Sequence, residues 1–145
     1  MSRQDVINVL NELRGMELAV IIQYMKHHYE AEGMDSPAIS DQFKKAAMDE
    51  MKHAEALGER INFLGGEPTK QPAEILSGGD LYKMIDDDIG KESEAIHKYR
   101  QYIELAFREQ DHATRLMLER ILAVEEEHLD MWITDLARKL EPALA

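Results

Sequence analysis

The 145-residue chain contains no cysteine, which excludes disulfides, thiolate metal sites and cysteine nucleophiles. Any metal must be held by oxygen and nitrogen. Basic residues are in deficit, 17 Lys+Arg against 29 Asp+Glu for a formal charge of −12. That balance argues against nucleic acid and anionic membranes as partners, because Lys and Arg dominate the binding of both. It suits a protein that attracts cations. No apolar run approaches the length of a bilayer span, and the opening MSRQDVINVLNEL has no basic segment leading into an apolar stretch. The expectation is a cytoplasmic chain without a membrane partner. Neither a glycine-rich phosphate loop nor a serine nucleophile signal is present.

Glycine and proline are also scarce, at eight and four. Between their few clusters, apolar residues recur every three or four positions, the period of amphipathic helices. The pattern predicts four long helices in one domain spanning residues 1–145. The first runs from about Asp5 to Ala31 and stops at Gly33. Ser36 is the expected N-cap of the second, with Pro37 at its first position, and Gly65 and Gly66 end it after Leu64. The third covers about Asp80 to Glu109, and Asp111 caps a fourth that runs to about Leu140, before Pro142. Residues 65–79, GGEPTKQPAEILSGG, hold four of the glycines and two of the prolines. Fifteen extended residues reach roughly 50 Å, against roughly 40 Å for a 28-residue helix, so this linker can cross a bundle end to end. The expected fold is all-α, a four-helix bundle with one long crossover between helices two and three.

A constellation recurs on those helices. Glu50 and His53 form Glu-x-x-His, and Glu125 and His128 form it again; a spacing of three places both side chains on one helix face. Glu17 precedes Glu50 by 33 residues and Glu92 precedes Glu125 by 33, so a shift of 75 superimposes the halves and carries Tyr24 onto Tyr99. Periodicity sets Glu17 in a stripe with Leu10, Leu13, Val20, Ile21 and Tyr24. Glu92 shares a face with Ile85, Ile89, Ala95, Ile96, Tyr99 and Ile103, whereas Glu94 falls with Asp87, Lys98 and Gln101. In VEEEH, Glu125 points inward with Leu118, Ile121, Leu122, Leu129 and Trp132; Glu127 falls on a wetter face and Glu126 lies between. Phe43, Ala47, Leu57, Ile61 and Leu64 surround Glu50 and His53.

Four inward carboxylates are prohibitively costly as bare charges in a dry core, and two divalent cations would neutralise them. Four glutamates and two histidines in this distribution match the known two-metal pattern of ferritin-like bundles. Oxygen and imidazole donors suit iron or manganese. Tyr24 and Tyr99 are placed to hydrogen-bond the bridging carboxylates as outer support. His27 and His28 diverge by about 100° and cannot act as a pair at i, i+4. His97 and His112 are expected to face solvent, and Asp86, Asp87 and Asp88 to form a solvated acidic face that could guide Fe2+ inward.

The chain resembles the bacterioferritins in VINVLNELRGMELAVIIQY around Glu17, DEMKHAEALGERINFLGGEP around Glu50 and ILAVEEEHLDMW around Glu125. The resemblance covers nearly the whole chain. It implies ferroxidase ligands at Glu17, Glu50, His53, Glu92, Glu125 and His128, the same six reached from periodicity, and a cytoplasmic homo-oligomer, at least a dimer, that oxidises Fe(II) with O2 or peroxide for iron storage or detoxification. It also implies haem held between paired subunits by a methionine, here Met51. Two departures are visible. Only about five residues follow Leu140, where the family has a short fifth helix completing a hollow cage, so the expectation is a chain without that helix. The linker and helix three are less like bacterioferritin, which keeps open a small peroxide-reducing oxidoreductase with two iron or manganese ions, of rubrerythrin-like or Dps-like type. Without cysteine a full rubrerythrin is excluded. The third reading is a helical dimer that is structural or carries haem at Met51.

Overall fold

The computed structural model describes residues 2–145, in which four α-helices are followed by a short 3₁₀ turn, with no β-strand among the described residues. Helix α1 is Arg3–Glu30, α2 is Ser36–Phe63, α3 is Leu81–Arg108, α4 is His112–Asp135, and the turn is Pro142–Leu144. The expected all-α bundle with one long crossover is what forms. Each helix carries an apolar stripe that it must bury, and the shortness of the loops makes α1 pack on α2 and α3 on α4 as antiparallel hairpins.

Helix ends depart from expectation where left-handed residues other than glycine close them. A Schellman pattern satisfies the last carbonyls when the residue after the cap turns left-handed. Gly65 does this after α2, with φ 92°, and Gly66 N–H donates to Ile61 O at 2.9 Å. Gln110 (φ 59°) and Ala137 (φ 53°) do the same after α3 and α4, with Arg138 N–H donating to Ile133 O at 2.7 Å. Helix α4 therefore stops at Asp135 and not near Leu140; alanine gives no sequence warning of this. The chain folds back so that Leu144 is buried against Ile96 and Leu129. Ser36 is not an N-cap either. Asp35 occupies the cap position without a side-chain hydrogen bond, and the Ser36 hydroxyl donates back to Gly33 O at 2.7 Å. At α1, Ser2 and Asp5 form a reciprocal capping box, which starts that helix at Arg3, two residues before the expected point.

The crossover lies along α1 as a strip of irregular backbone whose polar groups are taken up one after another, as burial demands. Asn11 Nδ2 donates to Glu67 O at 3.0 Å and Asn11 Oδ1 accepts from Thr69 N–H at 2.8 Å. Ala73 N–H donates to Gly15 O at 2.9 Å, Leu76 N–H to Gln23 Oε1 at 2.9 Å, and Lys91 Nζ reaches Glu74 O at 2.7 Å from α3. Gly15 sits mid-helix because the strip passes so close: a Cβ there would lie 3.2 Å from Gln71 O. Gly78, at φ +77°, likewise leaves room for the His27 ring.

Two apolar clusters fill the bundle on either side of its middle. One gathers Leu10, Leu13, Leu57, Ile61, Tyr99 and Leu118; the other gathers Val20, Tyr24, Phe43, Ala47, Met84 and Trp132. Each fully buried large side chain stabilises the fold by roughly 1.5–3 kcal/mol. Between the clusters lies a polar band.

Candidate metal centre

All four helices contribute to that band. Glu17 comes from α1, Glu50 and His53 from α2, Glu92 from α3, and Glu125 and His128 from α4, and every one is buried. One ligand atom each from Glu17, Glu50, His53 and Glu125 lie within 4.8 Å of one another, and so do those from Glu50, Glu92, Glu125 and His128. The two groups share Glu50 and Glu125. His53 Nδ1 stands 3.0 Å from Glu125 and 3.6 Å from both Glu17 and Glu50; His128 Nδ1 stands 3.0 Å from Glu50 and 3.5 Å from Glu92.

These close approaches lack hydrogen-bond geometry. Glu17 Oε2, both oxygens of Glu50, Glu92 Oε2, Glu125 Oε1, His53 Nδ1 and His128 Nδ1 are all buried without a hydrogen-bond partner. Unpaired buried polar atoms are expensive and rare, so seven of them converging on one volume is the signature of groups arranged for something other than each other. The donor set is oxygen and imidazole, which fits iron or manganese.

The tyrosines support the outer glutamates and not the bridging pair that was expected, because Glu17 and Glu92 are the residues their hydroxyls reach. Tyr99 O–H donates to Glu17 Oε1 at 2.7 Å, and Tyr24 O–H donates to Glu92 Oε1. In each case one carboxylate oxygen is fixed and the other, Oε2, is left free. Burial, with the charges of the neighbouring glutamates, pushes both phenols well above the ordinary tyrosine range, so they stay protonated as donors. Without a cation, burial pushes the Glu50 and Glu125 carboxyls well above the carboxylate range, and their neighbours' charges add to the effect. Burial works against a charge on His128, but Glu92, Glu125 and Asp49 outweigh it and hold the imidazole at about 9. Protons thus balance the charge where cations are absent.

Other positions followed expectation or departed from it. Glu94, Glu127, His97 and His112 are exposed, as expected, and Glu126, expected between the two faces, is exposed as well. Met51 is 50% exposed, away from the polar band. The acidic run Asp86–Asp88 is not a solvated face: only Asp86 is exposed, whereas Asp87 and Asp88 are buried. Asp88 accepts from Gln23 Nε2 at 2.8 Å and pairs with His27 Nδ1 at 3.1 Å, all three fully buried. Its partners lie on α1, so no local pattern announced it. Asp87 is drawn in by Lys83 one turn earlier. Asp49 also escaped the sequence reading. It lies one residue before Glu50, and its Oδ2 sits 2.9 Å from His128 Nε2 across the bundle.

A four-helix fold with paired Glu-x-x-His helices defines a class, and a family model described as a ferritin-like domain matches residues 7–141. The bacterioferritin of Desulfovibrio desulfuricans is 39% identical over 128 residues, covering 88% of this chain and 72% of that protein. The bacterioferritin of Mycobacterium leprae is 34% identical, covering 92% and 84%. A crystal structure of the Desulfovibrio protein, described as showing its diiron site in different catalytic states, superposes with a TM-score of 0.86 at 37% identity, covering 92% of this chain and 81% of that one. The chain belongs to the bacterioferritins, within the ferritin-like family.

Proposed function

We propose that the protein is a ferroxidase that binds two Fe2+ per chain at Glu17, Glu50, His53, Glu92, Glu125 and His128 and oxidises them for iron storage or detoxification. The observation that carries this reading is the convergence of seven buried, unpaired ligand atoms in two groups that share Glu50 and Glu125. Shared carboxylates suit two cations side by side, each completed by one outer glutamate and one histidine.

Iron supplies the redox chemistry: two Fe2+ give two electrons to one O2, which takes up two protons to form H2O2, or to one H2O2, which takes up two protons to form water. The chain supplies the rest. Tyr24 and Tyr99 hold the outer carboxylates so that each keeps one oxygen free. The apolar clusters above and below keep bulk water from the reacting pair and strengthen the charge interactions between them. Cation uptake displaces the protons that otherwise rest on Glu50, Glu125 and His128.

The same donors serve manganese, and a peroxide-consuming enzyme is the corresponding second reading. Haem held by Met51 against a second subunit belongs to the same proposal, a reading supported by the exposure of Met51 on α2. A homo-oligomer in the cytoplasm accords with the family, and among the described residues no helix is long and apolar enough to cross a membrane.

Aerobic Fe2+ titration of the metal-free protein, counting soluble iron per chain after gel filtration, tests the proposal. Rapid oxidation of the first two irons per chain is expected, with further soluble uptake for storage. A halt near two would exclude storage while keeping the oxidase, and slow oxidation from the first addition would overturn the site.

A further inference from the structure

The internal repeat that relates the two hairpins is broken beside the centre. The shift of 75 carries Glu17 onto Glu92, Glu50 onto Glu125, His53 onto His128 and Tyr24 onto Tyr99, but it carries Asp49 onto Val124. His128 presents Nδ1 to the glutamates, and its Nε2 is backed by the Asp49 carboxylate at 2.9 Å. His53 presents Nδ1 to the glutamates in the same way, yet among the described residues no side chain takes up its Nε2. Val124 lines the same opening as His53, a cavity of about 340 Å3 between α2 and α4 whose other walls are Asp49, Lys52, Arg120 and Ile121. Asp49 is committed to His128, and Lys52 and Arg120 are cations that offer His53 no acceptor. The His53 side chain is 10% exposed there.

A carboxylate behind an imidazole keeps the proton on the far nitrogen, fixes the ring's orientation and makes the near nitrogen a stronger donor to a metal. Only one of the two histidines has that support. We propose that Asp49 is a positioning residue that makes the two metal positions unequal: the position bounded by Glu92 and His128 retains its ion, and the position bounded by Glu17 and His53 exchanges its ion through the α2/α4 opening. This rests on the two-metal reading above. Its consequence is that one ion stays as a resident while the other is delivered and withdrawn.

Anaerobic calorimetric titration of the metal-free protein with Co2+, followed in parallel by the visible absorption of the bound ion, tests the inference without any turnover. The wild type should bind two ions in two resolved steps. Loss of an outer support of this kind typically weakens metal binding about 10–100-fold, so Asp49→Ala should weaken the tighter step by that factor and leave the weaker step in place. Val124→Asp supplies the missing carboxylate and should tighten the weaker step, drawing the two together. Asp49 is 44% exposed and Val124 half-buried, so both variants should unfold at the wild-type temperature, which is checked first. Two steps whose separation is the same in wild type, Asp49→Ala and Val124→Asp would overturn the inference and leave the two-metal reading intact. Failure of the wild type to bind Co2+ at all would overturn both.

Discussion

The seam between α1 and α3 is roofed by the crossover, whereas the seam between α2 and α4 is bare. Under the roof, a cavity of about 20 Å3, room for about one water, is lined by Glu17, Glu50, Glu92 and Glu125 beneath Ala73. At the bare seam the lining is His53, Asp49, Lys52 and Arg120, and the cavity is far larger. The four glutamates thus meet one side of the bundle and the His53 imidazole the other. The long linker therefore does more than join two hairpins. It shields the most charged side of the centre with backbone, where exclusion of water strengthens each electrostatic interaction most.

The largest effect should come from a change that ignores the two seams. Glu50→Ala or Glu125→Ala removes a carboxylate common to both candidate ligand groups and should abolish rapid Fe2+ oxidation, followed by ferric absorbance in stopped flow, while far-ultraviolet circular dichroism shows the helices intact. Unchanged oxidation in either variant would remove the centre from this band. The next change lifts the roof alone. In Gly15→Val the added side chain meets the Gln71 carbonyl, and overpacking of this kind costs about 1–3 kcal/mol. Urea unfolding should report that loss, with faster hydrogen exchange at the Ala73 amide and little change at α2 or α4. Equal acceleration at both seams would mean the roof is not a separate unit.

The smallest effect concerns the roof's buried anchor. Burial pushes the Asp88 carboxyl up to about 6 from its ordinary 3.8, although its hydrogen bonds from His27 and Gln23 oppose the shift. Between those two values the folded chain keeps a proton that the unfolded chain has released, so stability falls as pH rises through that window. Asp88→Asn should make this decline shallower in the metal-free protein, where Glu50 and Glu125 contribute the rest, read as unfolding midpoints at several pH values between about 4 and 6. An unaltered slope would place the titration elsewhere.

Much of this was legible in the sequence because it is local there. Glu-x-x-His fits within one helical turn, and its recurrence at a constant shift marks the inward face on all four helices. The crossover announced itself through its glycines and prolines. What stayed hidden depends on a partner distant in the chain. Asp88 reads as one of three surface acids until Gln23 and His27 of α1 are set beside it, and Asp49 reads as a spare acid until α4 brings His128 to it. Gly15 has no visible purpose in the sequence, and the crossover passing over it supplies one. The end of α4 was misplaced for another reason: Ala137 takes a backbone conformation that alanine seldom adopts, and the chain beyond it turns back to bury Leu144.

The pairing of helices carries a consequence for how the chain reaches this state. Each hairpin closes over a loop of a few residues, so its contacts lie near in sequence and form early. Each also carries half of the polar band, two glutamates and a histidine. Docking the hairpins therefore means bringing four acids together, a late step opposed by repulsion until protons or cations arrive. A divalent cation bound among those acids favours the docked hairpins over the separated ones, and protons do the same where the cation is absent.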